Sequence, residues 1–294
     1  MAATIRPRRS VLYVPGSNPR ALEKARTLSA DALILDLEDA IAPDAKLAAR
    51  QGILDALEAG GWGRREILVR VNGLESEWGR DDVAAMAGSG ADAILLPKVE
   101  SVETIRDLEA LLAGCEAPAG MVIWCMIETP LGVLHAEEIA RASPRLGGYV
   151  MGTSDLAKDL HCLHTPDRLP VLTSLSLCIL AARAHGLAIL DGVHLDLDDD
   201  EGFAASCRQG LELGFDGKTL IHPRTIDTAN TVFAPSADEL DWSERIIAAH
   251  SEAAREGRGV VVVDGRLVEN LHIENARRIL SLAAMITELE SASG

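Results

Sequence analysis

Three carboxylates follow an apolar run in the stretch ALILDLEDAIAPDAK, which covers Ala32–Lys46. Because alternate side chains of a strand share a face, Asp36 and Glu38 are expected to point the same way as Ile34. Like charges on a buried face are unfavourable unless a cation or a hydrogen-bond network accepts them. Together with Asp39, these residues predict a metal or catalytic site. The alternative is capping of the helix that the following Pro-Asp pair opens.

Two further carboxylates come directly after apolar runs. Glu128 follows MVIWCMI, and Asp155 follows GYVMGTS. A Mg²⁺ ion accepts one or two protein carboxylates, keeps several waters and leaves positions for a substrate. Glu128 and Asp155 are therefore the candidate metal ligands. A structural role would leave Glu128 as a buried charge in need of a partner, whereas N-capping of a helix is a credible alternative for Asp155.

Two cationic residues are candidate substrate contacts. Arg70 lies in the apolar run of VRVN, where a guanidinium is costly unless it is paired. It could hold a substrate carboxylate through two parallel hydrogen bonds, and an internal salt bridge to Asp36 or Glu38 is compatible with that role. Lys98 of LPKVE is the second candidate, with a solvated ion pair to Glu100 as the alternative.

The elements that must position these residues are predicted from apolar runs alternating with helical patterns. Most of the runs are almost continuously apolar, which is typical of parallel strands buried on both faces. The predicted strands are 11–14, 32–37, 66–71, 93–97, 121–127, 148–152, 187–193 and 216–221. Helical segments lie between them, among others at 43–59, 101–113, 132–142, 171–186 and 199–212. Eight strands each followed by a helix predict an α/β fold, a (β/α)₈ barrel, with a doubly wound sheet as the alternative.

The barrel places the candidate residues together, because the carboxyl ends of its strands line the mouth where ligands bind. Residues 1–235 are assigned to this barrel, and residues 236–294 exceed what its last helix needs. The extension is predicted to be a helix from Asp238 to Glu256, a strand pair in GVVVVDGRLVE and a final helix near Glu274 to Glu290. Such an appendage is expected to pack against a neighbouring subunit.

Composition restricts the class of partner. The 294 residues include 28 basic and 45 acidic side chains, a net charge of -17, which argues against nucleic acid and anionic membrane surfaces. Five cysteines without a CxxC pair argue against a disulfide framework or structural zinc site and favour a reducing cytoplasm. The longest apolar stretch, LCILAA, is too short to span a bilayer. A small molecule is the expected ligand.

A series of ordered motifs resembles one known family. SVLYVPGSNPRALEKA, LILDLEDAIAPDAK, ILVRVNG, ILLPKVES, CMIETPLGV, MGTSDLAKDLH, LDGVHLDLDD and GFDGKTLIHPRTI are similar, in order, to the motifs of the citrate lyase β-subunit-like and malyl-CoA lyase family. The resemblance runs from about Ser10 to the C-terminus. It implies a (β/α)₈ barrel that assembles as a homotrimer or hexamer. It also implies Mg²⁺, with Mn²⁺ as an alternative metal, and a CoA thioester as substrate.

The resemblance also implies roles for the residues at the mouth. Glu128 of IETP and Asp155 of GTSDL would bind Mg²⁺, and Arg70 of VRVN would bind the carboxylate of a 2-oxoacid. Glu38 of DLED would support the water shell of the metal, with the two aspartates of that motif as helpers.

Outside the mouth, the resemblance implies two further contributions. The family places a C-terminal aspartate that follows an apolar strand into a neighbouring subunit's active site as the acid/base group, and Asp264 of VVVVDGRLVE matches it. Asp-Gly between apolar runs is also a hairpin signal, so a turn role is the alternative. The CoA phosphates are assigned to PGSNPRALEK, with Arg20 and Lys24 as candidate contacts.

The reaction that the resemblance implies is Mg²⁺-dependent cleavage or formation of the C–C bond of a malyl-CoA or citramalyl-CoA type substrate. Its products would be acetyl-CoA or propionyl-CoA and a 2-oxoacid such as glyoxylate or pyruvate. The alternatives are a malyl-CoA thioesterase of the same fold, a citrate lyase β subunit in a complex, and a non-catalytic CoA-binding barrel. Three departures leave the substrate open. DGRLVENLHIENA, which begins at Asp264, stands where many relatives have a proline-containing pattern. His161 stands where many relatives have glycine, and Leu175 stands where many have arginine.

Overall fold

Eight parallel strands close into a barrel in the computed structural model, which describes residues 6–255 and 261–291. Each strand pairs with the next along the chain, and the last pairs back with the first through Ser10 and Lys218. The strands are β1 (Ser10–Pro15), β2 (Ala32–Asp36), β3 (Glu66–Arg70), β4 (Ala93–Leu96), β5 (Val122–Ile127), β6 (Leu146–Met151), β7 (Ala188–Asp191) and β8 (Gly217–Leu220). This closure confirms the (β/α)₈ prediction, and the doubly wound alternative is wrong.

Helices follow every strand of the barrel. They are α1 (Pro19–Ala25), α2 (Lys46–Ala59), α3 (Gly79–Met86), α4 (Val102–Gly114), α5 (Pro130–Leu134), α6 (Ala136–Ala140), α7 (Thr153–Asp159), α8 (Leu172–Ala184), α9 (Asp200–Leu213) and α10 (Ile226–Phe233). Short 3₁₀ turns cover Pro43–Ala45, Leu169–Val171 and Pro223–Thr225. None of the helices in residues 6–255 and 261–291 has both the length and the apolar composition that crossing a bilayer requires.

The strands alternate between an inner and an outer core. Ile34, Leu68 and Trp124 pack inside the barrel, whereas Leu33 and Leu35 pack against the surrounding helices. The Trp124 ring is fully buried, and its neighbour across the β5–β6 ladder is Gly148. A Cβ at that glycine would lie 2.6 Å from the indole ring, so only glycine leaves room for it. The barrel interior is therefore a packed core, and ligands must bind at its mouth.

One predicted helix is two helices in the structure. The pattern over 132–142 predicts a single helix, but α5 and α6 are separated at His135, which has φ −97° and ψ 7°. The His135 ring nitrogen Nδ1 lies 2.7 Å from the backbone oxygen of Glu100. This contact orients the residue at the break away from regular helical geometry.

The chain divides into two compact units. One is the barrel, Arg8–Phe233, and the other contains the described residues 6–7, 234–255 and 261–291. The second unit consists of α11 (Ala237–Arg255), the antiparallel hairpin β9 (Val261–Val263) and β10 (Arg266–Val268), and α12 (Asn270–Ser291). This order confirms the predicted helix-hairpin-helix extension, although the final helix begins at Asn270. The predicted helix end Glu256 and hairpin residues 259–260 lie outside the described residues, and packing on a neighbouring subunit stays a prediction.

A buried ionic cluster joins the outer faces of β7 and β8. The Asp191 carboxylate accepts hydrogen bonds from Lys218 Nζ at 2.8 Å and from Arg168 Nη1 at 2.7 Å. Arg168 Nε also donates to Gln209 Oε1 of α9, at 2.6 Å. Asp191 and Lys218 are completely buried. One carboxylate therefore compensates two cations that the sequence places far apart.

We predict that Asp191→Ala destabilises the barrel by about 3–5 kcal/mol, because it leaves the buried Lys218 and the partly buried Arg168 without their counter-ion. The measurement is urea-induced unfolding followed by circular dichroism. The matched control is Asp198→Ala, whose side chain is 98% exposed and lies 3.4 Å from Arg224. The control is expected to keep the wild-type unfolding midpoint. Equal midpoints for the two variants would contradict the role assigned to the cluster.

Candidate active site

A cavity of about 320 Å³ opens at the carboxyl ends of the barrel strands. Its volume lies in the range of small-molecule binding sites. Five charged residues predicted from the sequence line it together: Asp36, Asp39, Arg70, Glu128 and Asp155. The remaining wall includes Tyr13, Met126, Met151, Thr153, Val193 and Thr219. The fold therefore brings residues from β1, β2, β3, β5, β6 and their following loops to one mouth.

Arg70 and Asp36 form a bidentate ion pair inside this mouth. They are direct neighbours across the β2–β3 ladder, and Arg70 Nε and Nη2 donate to the two Asp36 carboxylate oxygens at 2.6 and 2.7 Å. Burial lowers the pKa of Arg70, but the hydrogen bonds and charge of Asp36 together with the neighbouring Tyr13 and Glu38 raise it above its ordinary value, so the guanidinium stays charged. Its third nitrogen, Nη1, lies 3.1 Å from Glu38 Oε2 and 3.4 Å from Asp39 Oδ2. The predicted internal salt bridge is confirmed, and Nη1 faces two carboxylates, of which Asp39 lines the cavity and Glu38 does not.

Asp36 also shapes the loop that carries the other two carboxylates. Its oxygens accept hydrogen bonds from the backbone N–H groups of Glu38 at 2.9 Å and Ala40 at 3.3 Å. The helical segments that follow, from Pro43 and Lys46, have no side-chain cap. The capping alternative for these acidic residues is therefore wrong.

Lys46 binds the backbone of the same loop. No role was predicted for this residue from the sequence. Its buried ammonium donates to the carbonyl oxygens of Leu37 at 2.8 Å and Glu38 at 2.7 Å, and to Asn72 Oδ1 at 2.7 Å. Asn72 donates in turn to Asp82 Oδ2, at 2.6 Å. The sequence feature that could have indicated this network is the presence of Lys46 at the end of APDAK and of Asn72 at the end of VRVN. This network fixes the backbone from which Glu38 projects.

Glu128 is a nearly buried carboxylate, 2% exposed, at the end of β5. Its Oε1 accepts a hydrogen bond from the backbone N–H of Lys98 at 2.8 Å. A Cβ at Gly152 would lie 2.3 Å from the Cβ of Glu128, so the glycine of MGTSD makes room for this side chain. The pKa of Glu128 is raised to about 7, mainly by burial and also by the charges of Glu38 and Asp155, while the Lys98 N–H and the charge of Arg70 act in the opposite direction.

Asp155 lies in the first turn of α7, with 28% of its side chain exposed. The N-cap of this helix is Gly152, so the capping alternative for Asp155 is wrong. Lys158 Nζ lies 3.4 Å from Asp155 Oδ1 on the solvent side. The carboxylate lines the cavity from the first turn of the helix, where a negative charge is also favourable, and it does not cap the helix.

The residues present fit a hard divalent cation. Asp36 is neutralised by Arg70, whereas Glu128 is buried, and the neighbouring charges of Glu38 and Asp155 disfavour its ionised form. A divalent cation would stabilise that form. The described residues contain no cluster of three or more His, Cys, Asp or Glu side chains arranged to hold a metal. Two carboxylate oxygens supplemented by water and substrate are a ligand set suited to Mg²⁺.

Other predicted site residues lie away from the cavity wall. The Lys98 ammonium is 3.8 Å from Glu38 Oε1, in place of the expected pair with Glu100, and the residue acts on the site through its backbone N–H. Arg20 and Lys24 are exposed on α1 and do not line the cavity. Contact of these three side chains with substrate or CoA stays a prediction.

Asp264 occupies the two-residue turn of the β9–β10 hairpin. Its φ of 51° and the 76° of Gly265 are typical of a type I′ turn. Arg245 Nη1 donates to its carboxylate at 2.6 Å. The predicted turn is confirmed, and the catalytic role stays a prediction.

At two of the departures from the family motifs, the structure shows the surroundings of the residue but gives no explanation for the exchange. His161 follows α7 with φ 54°, a left-handed conformation that glycine adopts without strain. Leu175 of α8 is completely buried in the outer core. An arginine at this position would place a charge in the outer core, where it would need a partner.

Comparison with known proteins places this site in a family. A (3S)-malyl-CoA thioesterase from Cereibacter sphaeroides (strain ATCC 17025 / ATH 2.4.3) is 54% identical over 286 residues, 97% of this chain and 98% of the relative. The L-malyl-CoA/beta-methylmalyl-CoA lyase of Cereibacter sphaeroides (strain ATCC 17029 / ATH 2.4.9) is 36% identical, over 97% of this chain and 98% of that protein.

A solved structure agrees with these similarities. The protein CitE from Mycobacterium tuberculosis, in complex with magnesium, acetoacetate and coenzyme A, superposes with a TM-score of 0.75 and 30% identity, over 97% of this chain and 100% of that chain. The family pattern of the HpcH/HpaI aldolases and citrate lyases matches residues 9–223. The resemblance inferred from the motifs is thereby confirmed: this chain belongs to the HpcH/HpaI aldolase/citrate lyase family.

Proposed function

We propose that this protein is a Mg²⁺-dependent thioesterase that hydrolyses (3S)-malyl-CoA to malate and CoA. The observation that carries the proposal is the 54% identity to a (3S)-malyl-CoA thioesterase over nearly the whole of both chains. The malyl-CoA lyase is 36% identical over a similar span. The sequence analysis favoured C–C cleavage and kept hydrolysis as an alternative, and these similarities support the alternative.

The site contains candidate groups for binding the hydroxy-acid end of such a substrate. Glu128 and Asp155 are the proposed ligands of Mg²⁺, which would polarise substrate oxygens when bound. Arg70 Nη1 is the proposed donor to the substrate carboxylate, while its other two nitrogens stay on Asp36. Glu38, fixed through its backbone by Lys46, is the proposed hydrogen-bond acceptor for bound water.

Hydrolysis requires a proton acceptor and a proton donor. The water oxygen attacks the thioester carbonyl carbon, the C–S bond breaks, the water proton passes to a base, and the CoA sulfur receives a proton as it leaves. We propose that Asp264 of a neighbouring subunit is this acid/base group, which requires an oligomer, and we propose a trimer or hexamer from the family resemblance. Arg20 and Lys24 are the proposed contacts of the CoA phosphates. The five free cysteines support a reducing compartment, and we propose the cytoplasm.

A C–C lyase acting on the same substrate is the second candidate. The family membership and the 36% identity to a malyl-CoA lyase favour it. In that reaction, the substrate hydroxyl loses its proton, the C–C bond breaks, and the acetyl-CoA enolate takes up a proton. The products would be acetyl-CoA and glyoxylate, so product identity separates the two candidates.

The deciding experiment is mass-spectrometric product analysis with (3S)-malyl-CoA in H₂¹⁸O, with Mg²⁺ and with EDTA. We expect free CoA and malate that carries one ¹⁸O in its new carboxylate, and we expect loss of both products on chelation. Labelled malate indicates hydrolysis of the malyl thioester, whereas C–C cleavage followed by hydrolysis of acetyl-CoA would give free CoA with acetate and glyoxylate. Acetyl-CoA and glyoxylate as the main products would assign the protein to the lyases, and the absence of turnover would overturn both proposals.

We predict that Asp155→Asn lowers kcat/KM and weakens Mg²⁺ binding, each by at least roughly a hundredfold, since even indirect partners of metal ligands contribute up to that factor. Isothermal titration calorimetry with Mg²⁺ provides a readout independent of turnover. Asp159→Asn is the matched control, because Asp159 lies on the same helix, is 35% exposed and is also 3.4 Å from Lys158. Wild-type Mg²⁺ affinity in Asp155→Asn would contradict the assignment.

We predict that Asp264→Asn lowers kcat by about 10²–10⁴-fold and leaves thermal stability unchanged. Asparagine accepts the left-handed conformation of the turn, so the substitution removes the carboxylate and keeps the hairpin. Arg245→Gln is the companion variant, because it removes the partner of Asp264 and retains the carboxylate. A stable and fully active Asp264→Asn enzyme would contradict the catalytic role and leave Asp264 with only a structural role in the turn.

A further inference from the structure

Tyr13 lies on the wall of the cavity, and the proposed reaction assigns no role to its hydroxyl group. It alternates along β1 with Val11, which packs inside the barrel, so its ring also points inward. The ring lies against Arg70, whose guanidinium carbon is 4.9 Å from the ring centroid. Tyr13 is therefore a direct neighbour of the group proposed to bind the substrate carboxylate.

Two strong donors converge on one weak acceptor at this point. The Tyr13 hydroxyl oxygen lies 3.7 Å from the thioether sulfur of Met126, and Arg70 Nη1 lies 3.8 Å from the same sulfur. Within residues 6–255 and 261–291, the Tyr13 hydroxyl makes no other hydrogen bond. A thioether is a poor acceptor, and buried hydroxyls normally find a better one. A substrate oxygen at this position would replace the sulfur as the partner of both donors.

The charge on the wall explains why a neutral donor is useful there. Four carboxylates and one guanidinium line the cavity, so an anionic ligand meets more negative than positive charge. Burial raises the pKa of Tyr13, although Arg70 lowers it, so the phenol keeps its proton and can donate. Its hydroxyl adds a hydrogen bond for a carboxylate without adding a charge that would need its own counter-ion.

We propose that the Tyr13 hydroxyl and Arg70 Nη1 form a paired donor site that binds a carboxylate oxygen of the 2-hydroxy acid part of the substrate. This inference rests on the proposed function for the identity of the acid, malate. Tyr13 then contributes to selectivity, because an acyl-CoA without this carboxylate leaves the Tyr13 hydroxyl with only the Met126 thioether as its acceptor. A site built to hydrogen-bond a polar group discriminates strongly against ligands that lack it.

The chain offers a matched control, because it contains two tyrosines, Tyr13 and Tyr149. The Tyr149 hydroxyl donates to the backbone oxygen of Ala136 at 2.6 Å and does not line the cavity. Replacing either residue by phenylalanine removes one oxygen and keeps the ring. Tyr13→Phe therefore preserves the stacking on Arg70 and tests the hydroxyl alone.

The experiment measures malate binding by isothermal titration calorimetry at saturating Mg²⁺ for the wild type, Tyr13→Phe and Tyr149→Phe. We expect roughly ten- to hundredfold weaker malate binding for Tyr13→Phe, the loss typical of a hydrogen bond to a charged group. Its Mg²⁺ affinity in the absence of malate and its thermal stability are expected to equal those of the wild type. Tyr149→Phe is expected to bind malate as the wild type does. With (3S)-malyl-CoA, Tyr13→Phe is expected to raise KM by a similar factor.

Unchanged malate affinity in Tyr13→Phe would overturn the donor pair, as would an equal loss in Tyr149→Phe. A wild-type protein that binds no malate with Mg²⁺ present would also overturn it. The proposed function can be contradicted independently of the donor pair. If malate binding depends on Tyr13 but (3S)-malyl-CoA is not hydrolysed, the donor pair stands and the thioesterase assignment falls.

Discussion

The bidentate pair between Arg70 and Asp36 is the interaction on which the candidate site depends. The two residues face each other across the β2–β3 ladder and point into the barrel, where neither charge is tolerable alone. The pair fixes the guanidinium so that Nη1 alone is directed towards Glu38, Asp39 and the cavity. Asp36 in turn holds the backbone of the loop that carries those carboxylates. One ion pair therefore sets both the cationic and the anionic side of the mouth.

The carboxylates of the mouth are compensated in three different ways. Asp36 has the Arg70 guanidinium within hydrogen-bonding distance, and Glu38 lies 3.1 Å from Arg70 Nη1 and 3.8 Å from the Lys98 ammonium. Glu128 has a single backbone N–H and is otherwise disfavoured as a charged group by burial. The charges of Asp36 and Glu38 are therefore compensated by residues of the barrel. The charge of Glu128 is not, so a bound divalent cation would stabilise it.

The proposed hydrolysis and the alternative C–C cleavage make similar demands on these residues. In both proposals, Arg70 and the proposed metal ligands fix the acid end of the substrate, and a proton relay is needed. They differ in the bond that breaks, C–S or C–C, and therefore in whether water reaches the thioester carbon. That difference depends on the placement of the thioester end, which lies beyond the residues that hold the acid. A common acid-binding site is thus compatible with both activities within one family.

The sequence by itself determined the barrel, its eight strands and the principal charged residues of the mouth. Continuous apolar runs ending in Asp36, Arg70 and Glu128 predicted both the parallel strands and the residues at their ends, because burial and alternation are local properties of a strand. The ordered motifs then identified the family. Strand ends were correct to within a few residues, whereas the single helix predicted over 132–142 is interrupted at His135 by a contact with Glu100.

Only the tertiary structure decided which partner each polar group has. Lys46 and Asn72 meet beneath the carboxylate loop, and Tyr13 meets Arg70 and Met126 at the cavity wall. None of these contacts has a sequence pattern, because each joins residues from separate strands or loops. Asp191, Lys218 and Arg168 likewise form one buried cluster from three separate segments. Local patterns report whether a residue is buried, but hydrogen-bond partners and charge compensation are set by the packing of distant segments.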